Sequence, residues 1–182
     1  MISFIIIGRN IEKTIKICLE SVVRFIDENT IIDNEILYID SNSNDQSIEI
    51  AKNYPVKIFQ IVGEVNAAIG RNVGANNAKG ETLFFIDGDM ELLPGFFNEV
   101  FTLDGDVAFY PFIRGYHHHL HYDNDFKILY TNDDPLPDKP ITSAVTGGLM
   151  IISRAMWIKI GGMDERLVRN QDVDIGLRMA KM

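Results

Sequence analysis

The sequence predicts an α/β sandwich, a mostly parallel central sheet with helices on both faces, and three observations carry that prediction. Short β-branched apolar runs alternate with stretches of helical periodicity along the first half of the 182 residues. The runs are apolar at nearly every position, as strands covered on both faces require. Polar residues cluster directly after these runs, where open α/β sheets gather their ligands.

The elements follow in order. Residues 3–7 form the first apolar run, and Ile11, Ile15, Leu19, Val22 and Ile26 then recur near helical spacing, giving a strand and an amphipathic helix. Residues 36–39 read as the second strand, 46–53 as a helix capped by Asn44 or Asp45, and 56–61 as the third strand. A helix over 66–79, stopped by Gly80, leads into a fourth strand at 82–86. Further on lie a strand at 107–112, a polar stretch at 114–139, an apolar strand at 149–152 and a helix over 172–182. The polar stretch holds His117, His118, His119 and His121 and reads as a mobile loop or hairpin over the crevice. The last helix ends without a cap, which predicts a natural chain running past Met182. Length places residues 1–182 in one domain.

Composition, at 46% hydrophobic and 24% charged, excludes a disordered chain. Against 26 acidic residues stand 17 basic ones, a formal charge of −9, which excludes a protein that coats nucleic acid. A small anionic ligand stays compatible with that charge if carboxylates hold a divalent cation. Cys18 is the sole cysteine, so neither an intrachain disulfide nor a multi-cysteine zinc site can form, and it reads as a core thiol. The apolar run at 5–7 is too short for a signal peptide, and no run reaches the ~20 residues of a membrane span. The chain reads as soluble and cytoplasmic.

Asp87-Gly88-Asp89 follows Leu83-Phe84-Phe85-Ile86, so two carboxylates emerge where a buried strand ends. In extended geometry positions two apart share a face at roughly 6.6 Å, and two hard oxygen donors there suit Mg²⁺ or Mn²⁺ with open positions for phosphate. A turn with solvated aspartates fits the same tripeptide equally well. Gly88 is expected to let a ligand approach the backbone.

Asp40-Ser41-Asn42-Ser43-Asn44-Asp45 begins like an EF-hand loop but has Asp45 at the glycine position and Ala51 at the closing glutamate. Asp40 is therefore assigned to a ligand at the strand end and the rest to shaping the turn. GxGxxG, GK[ST], GxSxG and HExxH are absent, against dehydrogenase, P-loop, serine hydrolase and zincin readings. Consecutive histidines point apart, so the His117–His121 cluster favours a solvated or substrate-facing loop over a metal site. Asp174 stands four residues before Arg178, the spacing of a surface ion pair.

The ordered set Ile5-Ile6-Ile7-Gly8-Arg9-Asn10, Tyr38-Ile39-Asp40-Ser41-Asn42-Ser43-Asn44-Asp45, Gly70-Arg71-Asn72-Val73-Gly74, Asp87-Gly88-Asp89 and Gly161-Gly162-Met163-Asp164-Glu165, followed by Gln171-Asp172-Val173-Asp174, resembles a family 2 glycosyltransferase of the GT-A fold. The resemblance spans nearly the whole chain. It implies a Rossmann-type GT-A sandwich, with residues 1–113 as the nucleotide-sugar half and 114–182 as the acceptor half. It also implies transfer from a nucleoside diphosphate sugar, most simply a UDP-sugar, to a hydroxyl of a glycan or lipid-linked acceptor. Inversion, a divalent cation (Mn²⁺ or Mg²⁺), polysaccharide biosynthesis and peripheral contact with the inner face of the membrane belong to the same expectation.

By position, the resemblance makes Asp40 the reader of the base, and backbone around Ile7 and Gly8 the nucleotide pocket. Arg71 approaches the nucleotide, while Asp87, Gly88 and Asp89 form the DxD motif, with both aspartates as metal ligands. Asp172 becomes the base that deprotonates the acceptor. Two departures stand out: the first strand runs into Gly8-Arg9-Asn10 where a Thr/Ser-Tyr-Asn-like segment is usual, and the usual Glu-Asp pair is Gln171-Asp172. A sugar nucleotidyltransferase is the rival enzyme class, but Gly8-Arg9-Asn10-Ile11-Glu12-Lys13 supplies little of its glycine-rich basic loop. A sugar- or nucleotide-binding module with a degenerate site is the non-enzyme rival.

Overall fold

The apolar runs at 3–7, 36–39 and 82–86 become buried strands because helices cover both sides of them, whereas the run at 56–61 becomes a partly exposed edge strand. The computed structural model describes residues 1–92, 121–122, 128–130 and 148–180. Its strands are β1 (Ile2–Gly8), β2 (Asn34–Asp40), β3 (Lys57–Gln60), β4 (Thr82–Asp87), β5 (His121–Tyr122), β6 (Ile128–Tyr130) and β7 (Leu149–Ser153). Helices are α1 (Ile15–Glu28), α2 (Ser47–Ala51), α3 (Ala67–Asn77), α4 (Arg154–Ile160) and α5 (Gln171–Ala180). The strand expected at 107–112 and most of the polar stretch at 114–139 lie outside the described residues, apart from the antiparallel pair β5 and β6.

The central sheet has five strands in the order β3-β2-β1-β4-β7. The first four are parallel and β7 runs antiparallel to β4, so the mostly parallel sheet carries one antiparallel edge strand. The chain first winds outward from β1 to β3 and then crosses to β4 on the other side of β1. That reversal puts the topological switch point between β1 and β4, where such sheets open a crevice.

Alternate residues feed two cores. Phe4, Ile6, Tyr38, Phe84 and Ile86 face α1, packing on Ile15, Cys18, Leu19, Val22 and Phe25. Ile5, Ile7, Leu37, Ile39, Leu83 and Phe85 face the other layer, with Ala68 and Ala75 of α3, Trp157 of α4 and Ile175 of α5. Cys18 is buried as expected, and burial, followed by the nearby Asp89 and Asp87 charges, pushes its thiol up to about 12.

Gly80 does not stop α3 as expected, because the helix ends at Asn77 and Ala78 is already extended. Arg154 takes over the end of the helix, donating to the carbonyls of Ala75, Ala78 and Gly80 at 3.2, 2.8 and 2.8 Å. Gly80 is required for a different reason: a Cβ there would lie 2.7 Å from the backbone nitrogen of Ser3 and 2.8 Å from the carbonyl of Met1. Among the described residues no helix is long and apolar enough to cross a membrane.

Candidate active site

The register of the parallel strands brings the polar strand ends together. Gly8 pairs with Asp40 and Ile7 with Asp87, so the residues that close β1, β2 and β4 stand side by side at one edge of the sheet. The loops after β1 and β2 then clasp each other. Asn10 N donates to Ser43 Oγ (2.8 Å), Asn44 N to Asn10 Oδ1 (2.8 Å), Ile11 N to Ser47 Oγ (2.9 Å) and Glu12 N to Asp45 Oδ2 (2.9 Å). Asn10 and Asn42 turn through positive φ, a conformation asparagine tolerates better than most residues. The polar run after Asp40 shapes the turn, as its composition suggested.

Asp40 itself is 0% exposed. Its Oδ1 accepts from Tyr38 Oη (3.0 Å) and its Oδ2 from Ser43 N (2.9 Å), so the structure holds this carboxylate inside the turn. The same burial, followed by the Asp40 charge, pushes the Tyr38 phenol upward.

Asp87 is held by backbone on both sides, its N–H donating to Gly148 O (2.8 Å) while Gly88 N donates to Ile7 O (2.8 Å). Gly88 does not open the backbone to a ligand in the way its sequence suggested. The space where its Cβ would stand is filled by Ile11 Cδ1, which occupies the same space above Gly8. These glycines seat Ile11 where the first loop folds across the ends of β1 and β4. Asp89 is exposed at the rim.

Arg71 reaches this point from α3. Its Nη2 lies 2.7 Å from Asp87 Oδ1, with the arginine side chain 4% exposed and the aspartate side chain 35% exposed. Burial drives the Asp87 carboxyl upward, Arg71 lowers it, and the charges of Asp89 and Asp172 raise it again, leaving it at about 6. Three carboxylates therefore act on one spot, and the Arg71 guanidinium offsets part of their charge.

Asp172 enters from the opposite side, in the first turn of α5. With Arg71, Asp87, Ala67, Gly148, Arg169, Asn170 and Gln171 it lines a cavity of about 220 Å³. Asn170 adopts positive φ and its carbonyl accepts from Asp174 N at 3.0 Å, starting the helix. The departure at Gln171 has a local reason: its buried amide donates to Leu167 O at 2.6 Å, a bond that an ionised glutamate could not give. Arg178 pairs with Asp174 at 2.7 Å, as the spacing predicted, and also donates to Ile160 O.

Gly8, Asp40, Arg71, Asp87 and Asp172 are thus gathered at one end of the sheet. The family described as Glycosyl transferase family 2 matches residues 3–157. The chain belongs to this family. Putative glycosyltransferase EpsH of Bacillus subtilis (strain 168) is 32% identical over 110 residues, which cover 58% of this chain and 30% of that protein. Uncharacterized glycosyltransferase YibD of Escherichia coli (strain K12) is 35% identical over 82 residues, 41% of this chain and 24% of that one. The chain thus matches less than a third of the length of either relative. Among solved structures, S. aureus TarS 1-349 in complex with UDP superposes with a TM-score of 0.65 at 18% identity, covering 97% of this chain and 54% of TarS 1-349. This likeness shows the GT-A fold.

Sequence reasoning missed Asn66, which caps α3, and Asn72 within it, whose amides hold the 163–165 segment, and Arg169 and Asn170 of the cavity wall. The asparagines carried a signal in retrospect, since Asn72 directly follows Arg71 in a motif read only for its arginine.

Proposed function

We propose that this glycosyltransferase family 2 chain transfers a sugar, with inversion, from a UDP-sugar to a hydroxyl of a glycan or lipid-linked acceptor. The observation that supports it best is the joint position of Asp87 and Asp172 on one cavity, with one carboxylate at the end of a donor-side strand and the other on the facing helix.

In this reading the phosphates lie at the ends of β1 and β4, and Asp87 and Asp89 hold Mn²⁺ or Mg²⁺. The donor set fits such an ion, since two carboxylates offer hard oxygens and leave further positions for diphosphate oxygens. When bound, the ion offsets negative charge on the leaving diphosphate. Arg71 adds a fixed positive charge beside the same atoms. Asp172 accepts the proton of the acceptor hydroxyl, whose oxygen forms the new bond to the anomeric carbon while the bond to the diphosphate breaks and UDP leaves with its electron pair. Asp40 meets the base by exchanging one of its internal hydrogen bonds for one to the nucleotide.

Calorimetric titration with UDP in Mn²⁺ and in EDTA tests the donor side. Tighter binding in Mn²⁺, lost in Asp89→Ala, is expected, and equal affinity with and without metal in the wild type rejects the cation. UDP release from a panel of UDP-sugars tests turnover. Binding without release, even with candidate acceptors present, would instead favour a binding module.

A further inference from the structure

Arg71 and Asn72 are neighbours on α3 that grip different halves of the chain. Arg71 holds Asp87 at the end of β4, whereas Asn72 reaches the segment that leads to α5. Its Nδ2 donates to Met163 O (2.9 Å) and Glu165 Oε1 (2.9 Å), and its Oδ1 accepts from Met163 N (2.9 Å). Asn66, which caps α3 through Ile69 N, donates to Glu165 O at 2.8 Å. One primary amide therefore satisfies both backbone groups of Met163, which fixes the orientation and the register of that segment together.

The surrounding backbone is built for this contact. Gly161 and Gly162 both take positive φ, at +77° and +67°, and their N–H groups donate to Ile158 O and Trp157 O, ending α4 in a Schellman-type turn. A Cβ on Gly162 would stand 2.8 Å from Asn72 Oδ1, so the glycine serves both the turn and the approach of the amide. Met163 is buried in the core beneath α3 and Trp157, so the segment is anchored on both its backbone and its side chain. The chain from this anchor to Asp172 is short, and Gln171 braces it through Leu167 O.

We infer that Asn72 is a positioning residue for the transfer reaction: by latching residues 163–165 to the helix that also holds Asp87 through Arg71, it sets where Asp172 stands relative to the donor. The inference rests on the reading of Asp172 as the acceptor-side base. Asn72 acts through another residue, since its own bonds go to Met163 and Glu165.

Asn72→Asp is the informative change. Aspartate still accepts from Met163 N, but it cannot donate to Met163 O and it sets a charge against Glu165. Glu165→Gln added to it places an amide donor opposite the new carboxylate and restores part of the latch. The readouts are hydrogen exchange at the Met163 amide, UDP affinity by calorimetry, melting temperature, and kcat and KM for whichever of UDP-glucose, UDP-galactose and UDP-N-acetylglucosamine the wild type turns over fastest. The expected result for Asn72→Asp is faster exchange at Met163 and kcat lowered by roughly 10-fold to 100-fold, the scale of a small misplacement of a reacting group. UDP affinity and donor KM should stay within about 2-fold of wild type, and the double variant should recover much of the kcat. An Asn72→Asp protein with wild-type kcat overturns the positioning role and leaves the transferase reading intact. So does a kcat loss matched by an equal loss of UDP affinity, or one that the double variant leaves unrepaired while it melts like the wild type. A wild type that turns over none of these sugars overturns the transferase reading and this inference together.

Discussion

Arg71 Nη2 stands 2.7 Å from Asp87 Oδ1, so a helix on one face of the sheet is tied to the carboxylate that ends the interior strand β4. The pair makes Arg71 both a structural and an electrostatic element, and single substitutions should reveal both roles.

Arg71→Met removes the charge that lowers Asp87, so the Asp87 carboxyl should titrate above its present value of about 6, read by carboxylate carbon NMR. Stability should fall by less than the ~3–5 kcal/mol of a fully enclosed broken pair, because Asp87 faces the crevice and can regain water. UDP and inorganic diphosphate should both bind more weakly. Arg71→Lys keeps a charge without the planar fork and should recover only part of that affinity. Unchanged diphosphate affinity in Arg71→Met would remove the arginine from phosphate binding.

Gly74 and Gly70, one turn apart on α3, should respond oppositely to alanine. A Cβ on Gly74 would collide with Ile5 Cγ2 and crowd Ile39 Cγ1 at 3.3 Å, whereas one on Gly70 would meet Ile7 and Ser41 at ordinary distances of 3.6 Å. Gly74→Ala should lift the helix from the sheet and cost about 1–3 kcal/mol in urea unfolding. Gly70→Ala should be neutral or add up to about 1 kcal/mol from helix propensity. Similar losses at both positions would mean that α3 does not sit on the sheet as described.

At the opposite end of the sheet, Glu35 is 8% exposed and accepts from Ser3 Oγ, Lys79 N and Lys57 Nζ. Burial pushes its carboxyl up, but the hydrogen bonds from Lys57, the Lys79 backbone and Ser3 outweigh that and hold it below its ordinary 4.5. A lowered carboxyl stabilises the fold fully above the unfolded value of 4.5 and loses that contribution as pH falls through the lower folded value. Glu35→Gln should therefore cost about 1–3 kcal/mol at pH 7, with the gap to wild type narrowing as pH falls below 4.5. UDP affinity should not change, since Glu35 lies at the start of β2 and the site at its end. A gap that stays constant however far pH falls below 4.5 would show that the charge of Glu35 is not what stabilises.

The strands were legible because burial on both faces leaves uninterrupted apolar runs, and the site was legible because parallel strands deliver their last residues to one edge. Asp40 and Asp87 were singled out from those regularities and Asp172 from the family resemblance, and the structure brings Asp87 and Asp172 to one cavity. What escaped were contacts between segments distant in sequence. Gly88 looked like an opening for a ligand, yet the space belongs to Ile11, and only the fold of the first loop reveals this. Gly80 looked like a helix stop, yet it answers to Ser3 and Met1 across the sheet. Arg154 closing α3, and Asn72 holding Met163, join residues more than 70 and 90 positions apart, which no local pattern encodes.

Asp172 separates a cap from a base. It lies in the first turn of α5, where a carboxylate favours the helix, and it also faces the cavity that holds Asp87. Asn170, whose carbonyl accepts from Asp174 N, already occupies the entrance to the helix, so the loss of Asp172 should cost little stability, about 0.5–1 kcal/mol. Its negative charge raises Asp87, so Asp172→Asn should let the Asp87 carboxyl titrate below about 6, a change independent of any acceptor. That shift would confirm that the two carboxylates sense each other in solution. Donor affinity should stay near wild type, whereas transfer to the true acceptor should fall by roughly 10²- to 10⁴-fold, since asparagine cannot take the hydroxyl proton. If Asp172→Asn shifts Asp87 and yet transfers sugar at close to the wild-type rate, Asp172 is an electrostatic neighbour of the donor site, and the base lies elsewhere in the chain.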